Sequence, residues 1–416
     1  MKRVVLCVTF ALIMTGTFAV FRIGLVRAQG STIYIRAEGN IDPPTAPIST
    51  LDNITYTFTA DILGLIEVQR NNIVVDGAGH ALDGTGIQNG RGISLQNLSR
   101  VTIKNINIRN FQIGISMEFS SNNTLSENNM TVNHHCIWLY GSFGNTLCDN
   151  KVTANGWDGI SLYSSSNNTL SGNNVTANRH HGVTLSYSSN NTLLSNNLAA
   201  NKEYGVQLYY SSNNTLSDNE ISTNHFGITL ESSVGNTLSG NNVTANARAL
   251  WLCVSSNNTL SGNNVANNDL GIWLYGFGGV NKLYHNNIVN NSMQTLDETY
   301  ATNDWDNGCE GNYWSDYNGT DSNNDGIGDI PYVIDGNNTD NYPLMNIYWN
   351  PSDINHDLKV DMKDIGRSAR AFGTVPGDIL WNPHADITGP EYLVPDGMVD
   401  MRDISLIARH FGEHYP

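Results

Sequence analysis

The residues best suited to chemistry form two acidic loops near the C-terminus. In the first, oxygen donors recur at alternate positions of a twelve-residue segment, with one lysine supplying its backbone carbonyl: Asp353, Asn355, Asp357, Lys359, Asp361 and Asp364. Carboxylates and carbonyls at this spacing suit a hard cation, and four carboxylates favour Ca²⁺. The pattern therefore predicts a calcium site followed by a short helix from Ile365 to Phe372.

A second copy of this phrase returns 39 residues later, where Asp400-Met-Arg-Asp403 matches Asp361-Met-Lys-Asp364. Its predicted calcium ligands, with Met398 acting through its carbonyl, are Asp386, Thr388, Asp396, Met398, Asp400 and Asp403. A third acidic segment lies earlier in the chain and has a glycine after its third donor. Its donors are Asp321, Asn323, Asp325, Ile327 (through its carbonyl) and Asp329, and they predict either a further Ca²⁺ site or an acidic turn without metal.

A long repeat precedes these loops. The leucine of an Asn-Thr-Leu phrase recurs every 22 or 23 residues, at Leu125, Leu147, Leu170, Leu193, Leu216, Leu238, Leu260 and Leu283. A fixed period of this length is typical of a solenoid. Each repeat contains three short segments that alternate apolar with polar residues, as half-buried strands do. The sequence therefore predicts an all-β fold, a right-handed parallel β-helix with three sheets.

Three asparagines recur in fixed register within each repeat, as at Asn123, Asn128 and Asn133. Three such columns imply three turns per coil. Asparagine tolerates the left-handed backbone conformation, and its amide reaches the equivalent residue one coil away, at ~4.8 Å. We therefore predict three hydrogen-bonded asparagine ladders along the solenoid.

Aromatic residues recur on the predicted outer face of one sheet. In the phrase Gly-Ile-x-Leu the isoleucine and leucine point inward, so position x points outward. Aromatic residues occupy x, or the position two residues later, at Trp138, Trp251, Trp273, Tyr140, Tyr163, Tyr209 and Tyr275. Aromatic faces stack on sugars, so this row predicts a glycan-binding surface. Packing under the C-terminal segment is the alternative for Trp251 and Trp273.

Two other chemistries have candidate residues on the variable edge of the repeat. Asp158 and Glu203 lie two coils apart, at ~9.6 Å, near the upper limit for the carboxyl pair of an inverting glycosidase. They are candidates for a polysaccharide lyase or glycoside hydrolase. Histidines on the same edge are candidate copper ligands, but they fall in alternate coils: His134, His135, His180, His181 and His225. That ~10 Å spacing argues against their sharing one ion.

Composition and the N-terminus restrict the protein class. The 416 residues carry a formal charge of −17, and only 14% are charged, which argues against nucleic acid and anionic membranes as partners. Residues 1–28 have the basic start, apolar run and small-residue cleavage site of a secretory signal; a retained N-terminal anchor is the alternative. We therefore expect a secreted or cell-surface protein.

The repeat region resembles a known family. The Asn-rich coils, the string from Gly311 to Tyr317, the Asp325–Tyr332 segment and Asp340-Asn-Tyr-Pro-Leu344 together resemble the NosD-type right-handed β-helix family, also called periplasmic copper-binding. The resemblance covers residues 31–347. It implies an N-terminal cap over 31–72, coils over 73–291 and a C-terminal cap over 292–347, and it allows copper as a cofactor.

The duplicated loop-helix over residues 351–416 resembles a type I dockerin. This resemblance implies calcium as the cofactor and a cohesin-type protein domain as the partner, outside the cell. Taken together, the sequence predicts a β-helix scaffold that binds a polysaccharide or surface glycan and docks through a calcium-dependent module. The enzyme and the copper protein remain the alternative functions.

Overall fold

The structure is a computed structural model that describes residues 32–85, 90–348, 354, 360–382, 385–388 and 397–409. The predicted signal segment 1–28 and the predicted calcium ligands Asp353, Asn355, Asp357, Lys359 and Asp396 lie outside these residues. Neither helix in the described ranges is both long enough and apolar enough to cross a membrane.

Three long sheets dominate the described chain and form a parallel β-solenoid of about 11 turns. Sheet 1 has 13 strands, at Thr32–Ile35, Ile41–Asp42, Leu65–Val68, Arg91–Gln96, Ile113–Glu118, His135–Tyr140, Ile160–Tyr163, Val183–Ser186, Tyr204–Tyr209, Phe226–Glu231, Arg248–Cys253, Leu270–Gly276 and Met293–Thr299. Sheet 2 has 12, at Ile48–Ser49, Thr55–Phe58, Ile73–Asp76, Val101–Lys104, Thr124–Ser126, Thr146–Cys148, Thr169–Ser171, Thr192–Leu194, Thr215–Ser217, Thr237–Ser239, Thr259–Ser261 and Lys282–Tyr284. Sheet 3 also has 12, at Ile62–Leu63, Ala81–Asp83, Asn107–Arg109, Asn129–Thr131, Lys151–Thr153, Asn174–Thr176, Asn197–Ala199, Glu220–Ser222, Asn242–Thr244, Asn264–Ala266, Asn287–Val289 and Tyr313–Trp314.

The solenoid core is a stack of aliphatic side chains in register. Leu125 pairs with Leu147 and Leu147 with Leu170, and all three are fully buried. Strand residues on either side of each core position point outward, which is the period-two pattern that the sequence showed. The parallel, three-sheet solenoid predicted from the repeat is therefore confirmed.

The asparagine ladders hold the turns of successive coils together. The side-chain oxygen of Asn145 accepts hydrogen bonds from the backbone N–H of Asn123 (2.9 Å) and from its side-chain Nδ2 (3.1 Å). Asn123 Nδ2 also donates to the carbonyl of Leu98, 3.2 Å away in the preceding coil. These bonds confirm the predicted ladders and satisfy buried backbone groups at the turns, where no strand partner is available.

The residue that adopts the left-handed backbone conformation is not the ladder asparagine that the sequence indicated. It is the residue before the asparagine at nearly every ladder position, as at Asn122, Glu127 and Val132, with φ of 55°, 56° and 57°. This turn directs the following asparagine inward, where its amide is buried. The asparagines are therefore selected for their hydrogen bonds, and the residue before them adopts the less favourable conformation.

Both ends of the solenoid depart from the regular coil. In the segment 31–72, strand Thr32–Ile35 pairs in antiparallel fashion with Ile41–Asp42 and in parallel with Leu65–Val68. At the other end Trp305 and Trp314 are buried against the last coil, and Tyr332–Val333 pairs with Thr339–Asp340 in a small hairpin.

One asparagine ladder ends on a carboxylate. Asn286 N–H donates to Asn312 Oδ1, and Asn312 N–H donates to Asp340 Oδ2 at 2.7 Å. Asp340 thus occupies the place of the next asparagine. It also accepts from Trp314 Nε1 at 2.8 Å.

Two helices follow, α1 at Met362–Ala371 and α2 at Met401–Arg409. Helix α1 begins three residues before the predicted helix, because Asp361 caps it: the Asp361 side chain accepts from Lys363 N–H, and Asp364 accepts from Asp361 N–H in return. Apolar residues of this segment, among them Val360 and Leu406, form a small core of their own.

Candidate functional site

The outer side of sheet 1 carries most of the exposed aromatic residues that lie in register. At the C-terminal ends of its strands, rings from five successive coils contact one another. They form a surface that we call the tyrosine row: Phe119, Tyr140, Tyr163, Tyr187, Tyr209 and Tyr210. Ring centroids of consecutive coils lie 5.3–5.8 Å apart. Except for Tyr209, which is half-buried, these side chains are 37–53% exposed.

Three members of the tyrosine row were not predicted from the sequence. Phe119, Tyr187 and Tyr210 follow their strand by one residue and have φ of 51°, 52° and 45°. In the coil of Tyr187 the regular position is Ser186, which pairs with Tyr163 and Tyr209 in register. The left-handed turn brings the ring of the next residue back onto the row. A search of the repeat for aromatic residues one position later would have found them.

A second run of rings, the edge row, follows the N-terminal ends of the sheet 1 strands and reaches mid-strand at its last two members, Trp251 and Trp273. Its members are His134, Trp157, His180, His181, Tyr204, Phe226, Trp251 and Trp273, with neighbouring centroids 3.6–5.8 Å apart. Many of these rings stack on one another, so much of their surface faces the next coil rather than solvent. Trp273 also donates from Nε1 to Glu298 in the last strand of sheet 1, at 3.0 Å.

The predicted glycan-binding aromatics therefore fall into two environments. Tyr140 and Tyr163 are exposed in the tyrosine row, whereas Trp251 and Trp273 are half-buried within the edge row. Two further predicted residues stand near these rows: Trp138 packs on Tyr140 at 6.1 Å and Tyr275 on Trp273 at 5.8 Å.

A compact polar cluster interrupts the edge row. Asp158 Oδ1 lies 2.7 Å from Nδ1 of His180 and accepts a longer bond, 3.3 Å, from the backbone N–H of His181. The other oxygen, Asp158 Oδ2, accepts from Ser161 Oγ at 2.9 Å. One potential ligand atom from each of Asp158, His180 and His181 lies within 4.8 Å of the other two. The sequence missed this cluster because His180 and Asp158 belong to successive coils, which only stacking brings together.

Burial affects the pKa of two histidines on this edge, His181 of the cluster and the nearby His135. Burial lowers the pKa of His181 to about 4, although the nearby Asp158 carboxylate acts in the opposite direction. Burial also lowers the pKa of His135. Both imidazoles are therefore neutral at pH 7, and within the described residues the buried Nδ1 atom of each lacks a hydrogen-bond partner.

The candidate catalytic carboxylates are not neighbours. Asp158 lies just before the strand of Ile160 and Glu203 just before that of Val206, and these strands are separated by the strand of Val183. The two-coil separation expected from the sequence is therefore present. The contacts of Asp158 are to His180 and Ser161, not to a second carboxylate.

The predicted calcium loops hold their carboxylates on backbone amides. Asp321 Oδ2 accepts from Gly326 N–H at 3.0 Å, and Asp386 Oδ2 accepts from Gly397 N–H at 2.8 Å. Asp403, fully buried, accepts from the amides of Ile387 and Thr388 at 2.8 and 2.9 Å. These oxygen donors suit Ca²⁺ chemically.

Two families match parts of the chain. Residues 158–319 match the family described as periplasmic copper-binding protein (NosD), and residues 55–199 match the right-handed β-helix region. Together these matches support the β-helix repeat family for this chain. They also support the right-handed form of the solenoid.

Individual known proteins resemble the chain either over a short segment or at low sequence identity. The probable ABC transporter binding protein NosD of Stutzerimonas stutzeri is 44% identical over 57 residues, which are 14% of this chain and only 13% of that protein. Among solved structures, the match to the Dettilon tailspike protein gp208 covers 65% of this chain and 60% of the tailspike chain, with 15% identity and a TM-score of 0.52. For the A-module of the Azotobacter vinelandii mannuronan C-5 epimerase AlgE6, the match covers 68% of this chain and 90% of that module, with 17% identity and a TM-score of 0.46. The tailspike likeness shows a shared fold.

Proposed function

We propose that this protein is an extracellular or periplasmic β-helix scaffold that binds a polysaccharide along the tyrosine row. The observation that carries the proposal is the row itself, an uninterrupted set of exposed aromatic rings over five coils of sheet 1. The periplasmic description of the matching family and the signal-like N-terminal segment support that location.

The geometry of the row suits an extended ligand. Five coils span four inter-coil spacings, ~19 Å at ~4.8 Å each, so several sugar units of one chain can contact the row at once. The pairs Phe119–Tyr140 and Tyr163–Tyr187 are edge-to-face, with interplanar angles of 84° and 64°, whereas Tyr140–Tyr163 and Tyr187–Tyr210 are stacked. The exposed ring surface that neighbouring rings leave uncovered can contact the apolar face of a sugar.

Polar groups beside the row can supply orientation. The tyrosine hydroxyls of the row provide hydrogen-bond donors and acceptors. With a net charge of −17, the protein favours a neutral polysaccharide over a polyanion.

Binding to a panel of neutral and anionic polysaccharides, measured by affinity electrophoresis and calorimetry, tests this proposal. Tyr163→Ala should weaken binding by about 5- to 150-fold, since stacked aromatic groups typically contribute about 1–3 kcal/mol. Tyr342→Ala is the matched control: Tyr342 is 38% exposed, against 42% for Tyr163, but lies in the cap outside the row. Equal affinity of both variants for every ligand bound by the wild type would refute the proposal, as would the absence of binding.

We further propose that the C-terminal segment binds Ca²⁺ and docks on a cohesin-type domain. The supporting observation is the structural duplication. Both helices follow an aspartate, Asp361 or Asp400, whose backbone N–H donates to a fully buried carboxylate, Asp364 or Asp403, at 2.7 Å. A bound cation would compensate these buried charges.

Calcium calorimetry on the full chain, with a cohesin pull-down in the presence and absence of chelator, tests this second proposal. Asp403→Asn should abolish one Ca²⁺ site and the pull-down, whereas Asp378→Asn, an exposed aspartate in the same segment, should change neither. Calcium binding without cohesin capture would retain the metal site and reject the partner. No Ca²⁺ binding would reject both.

A further inference from the structure

We propose that Asp158, His180 and His181 form a binding site for a divalent transition-metal ion, Zn²⁺ or Cu²⁺, on the edge of sheet 1. The inference does not depend on polysaccharide binding. It rests on the convergence of three donor side chains from two coils, together with a buried histidine nitrogen that lacks a partner.

The donor set determines the kind of ion. Two imidazoles and one carboxylate suit Zn²⁺ and Cu²⁺, whereas Ca²⁺ and Mg²⁺ take oxygen ligands. The copper named in the description of the matching family therefore fits these donors, and so does zinc. Three protein ligands also leave a fourth position for water or an exogenous ligand.

The distances require only a small adjustment. Ligands at about 2.0–2.1 Å from a tetrahedral ion lie about 3.3 Å from one another. The candidate atoms lie within 4.8 Å of each other, and Asp158 Oδ1 and His180 Nδ1 are 2.7 Å apart. Small rotations of the side chains would bring the three groups to one ion, because their candidate ligand atoms already lie within 4.8 Å of one another.

Burial supplies the independent argument. His181 is 7% exposed, and its buried Nδ1 has no hydrogen-bond partner among the described residues. A buried polar atom without a partner costs free energy, so such atoms in folded proteins commonly mark a missing ligand or ion. A metal ion bound to this imidazole would compensate that cost.

Neighbouring residues hold the three ligands in place. Ser161 Oγ donates to Asp158 Oδ2 at 2.9 Å. A hydrogen bond of this kind fixes the orientation of a carboxylate that binds a metal ion. The Trp157 ring stacks on His180 with centroids 4.1 Å apart, and Tyr204 packs on His181 at 4.6 Å. All of these residues belong to consecutive coils of a rigid stack, so the site is preorganised.

Calorimetric titration of the chelator-stripped full chain with ZnCl₂, and separately with CuCl₂, tests the site, with Ca²⁺ in excess to occupy any oxygen-rich loops. We expect saturable binding that is lost in His181→Gln and Asp158→Asn and weakened about 10- to 100-fold in Ser161→Ala. His225→Gln is the matched control, because His225 lies on the same edge but outside the cluster. Far-UV circular dichroism shows whether each variant keeps the fold.

Spectroscopy provides a readout that a purely structural role of these residues would not change. The Cu²⁺ complex of the wild type should show nitrogen hyperfine coupling in electron paramagnetic resonance. In the variants His180→Gln and His181→Gln, provided that they fold, the spectrum should show the loss of one nitrogen ligand each. Unchanged affinity and spectra in these variants, or no saturable binding by the wild type, would overturn the proposal. Unchanged affinity in Ser161→Ala would overturn the role given to Ser161.

Discussion

Removal of one ladder asparagine measures how much the ladders stabilise the solenoid. Asn173 lies at the turn between the strands Thr169–Ser171 and Asn174–Thr176, in the coil of Tyr163, and its side chain takes part in four hydrogen bonds. Its oxygen accepts from the backbone and side-chain nitrogens of Asn150, at 3.1 and 3.0 Å. Its Nδ2 donates to the carbonyl of Leu147 at 2.8 Å and to Asn196 Oδ1 at 2.9 Å.

Asn173→Ala should lower the free energy of unfolding by about 4 kcal/mol. Each hydrogen bond contributes about 0.5–1.5 kcal/mol net, so four bonds amount to about 2–6 kcal/mol. The variant also leaves the buried N–H of Asn150 and the carbonyl of Leu147 without this partner. Asn174→Ala is the control, since Asn174 is partly exposed and its side-chain oxygen accepts a long hydrogen bond, 3.4 Å, from Asn197 Nδ2. We expect a change within about 0.5 kcal/mol there.

Urea unfolding followed by circular dichroism gives the global effect. Hydrogen exchange of peptides from residues 147–196 gives the local effect, which matters because stacked repeats need not unfold in one step. A loss below about 1 kcal/mol in Asn173→Ala, or equal losses in both variants, would refute the view that the ladders are major stabilising elements.

Three further predictions concern other parts of the solenoid. Gly182→Ala should destabilise by about 1–3 kcal/mol in urea unfolding, because an added Cβ would lie 2.6 Å from the carbonyl oxygen of Gly205; unchanged stability would contradict this. Burial raises the pKa of Asp340 to about 6, against hydrogen bonds that lower it. Between pH 4 and 6 the folded protein therefore keeps a proton on Asp340 that the unfolded chain, with an aspartate pKa near 3.8, releases. The contribution of Asp340 to the free energy of unfolding is complete below pH 4 and is lost as the pH rises through 6. Asp340→Asn should flatten the pH dependence of stability between pH 4 and 6, and an unchanged slope would count against the shift. Burial raises the pKa of the Cys136 thiol, so mass spectrometry after native alkylation should find Cys309, which is exposed, modified and Cys136 protected until unfolding; early labelling of Cys136 would contradict its buried position.

Much of the fold could be predicted because the repeat encodes it locally. The leucine period set the coil, and the alternation around Leu125 set which side chains point inward. The asparagine columns predicted hydrogen bonds between coils, although the left-handed turn falls on the preceding residue, such as Asn122. The helix predicted from Ile365 is present as α1, but its start depends on the Asp361 cap.

The candidate site was predicted only in part. Tyr140 and Tyr163 were found because they occupy a regular position of the repeat. Tyr187 and Tyr210 were missed because a turn, not a strand position, brings their rings onto the row. The histidines of alternate coils were expected to lie too far apart to share one ion, and the sequence did not show that His180 contacts Asp158 of the adjacent coil.

The sequence by itself determined the periodicity, the three sheets and the residues of the core, because in a solenoid each coil repeats the same local instructions. Only the tertiary structure decided which side chains meet between coils. Side-chain packing across ~4.8 Å of stacked backbone depends on rotamers and on turn conformation, which a one-dimensional pattern does not record. For that reason the place of Phe119, Tyr187 and Tyr210 in the tyrosine row and the Asp158–His180–His181 cluster emerged only from the folded chain.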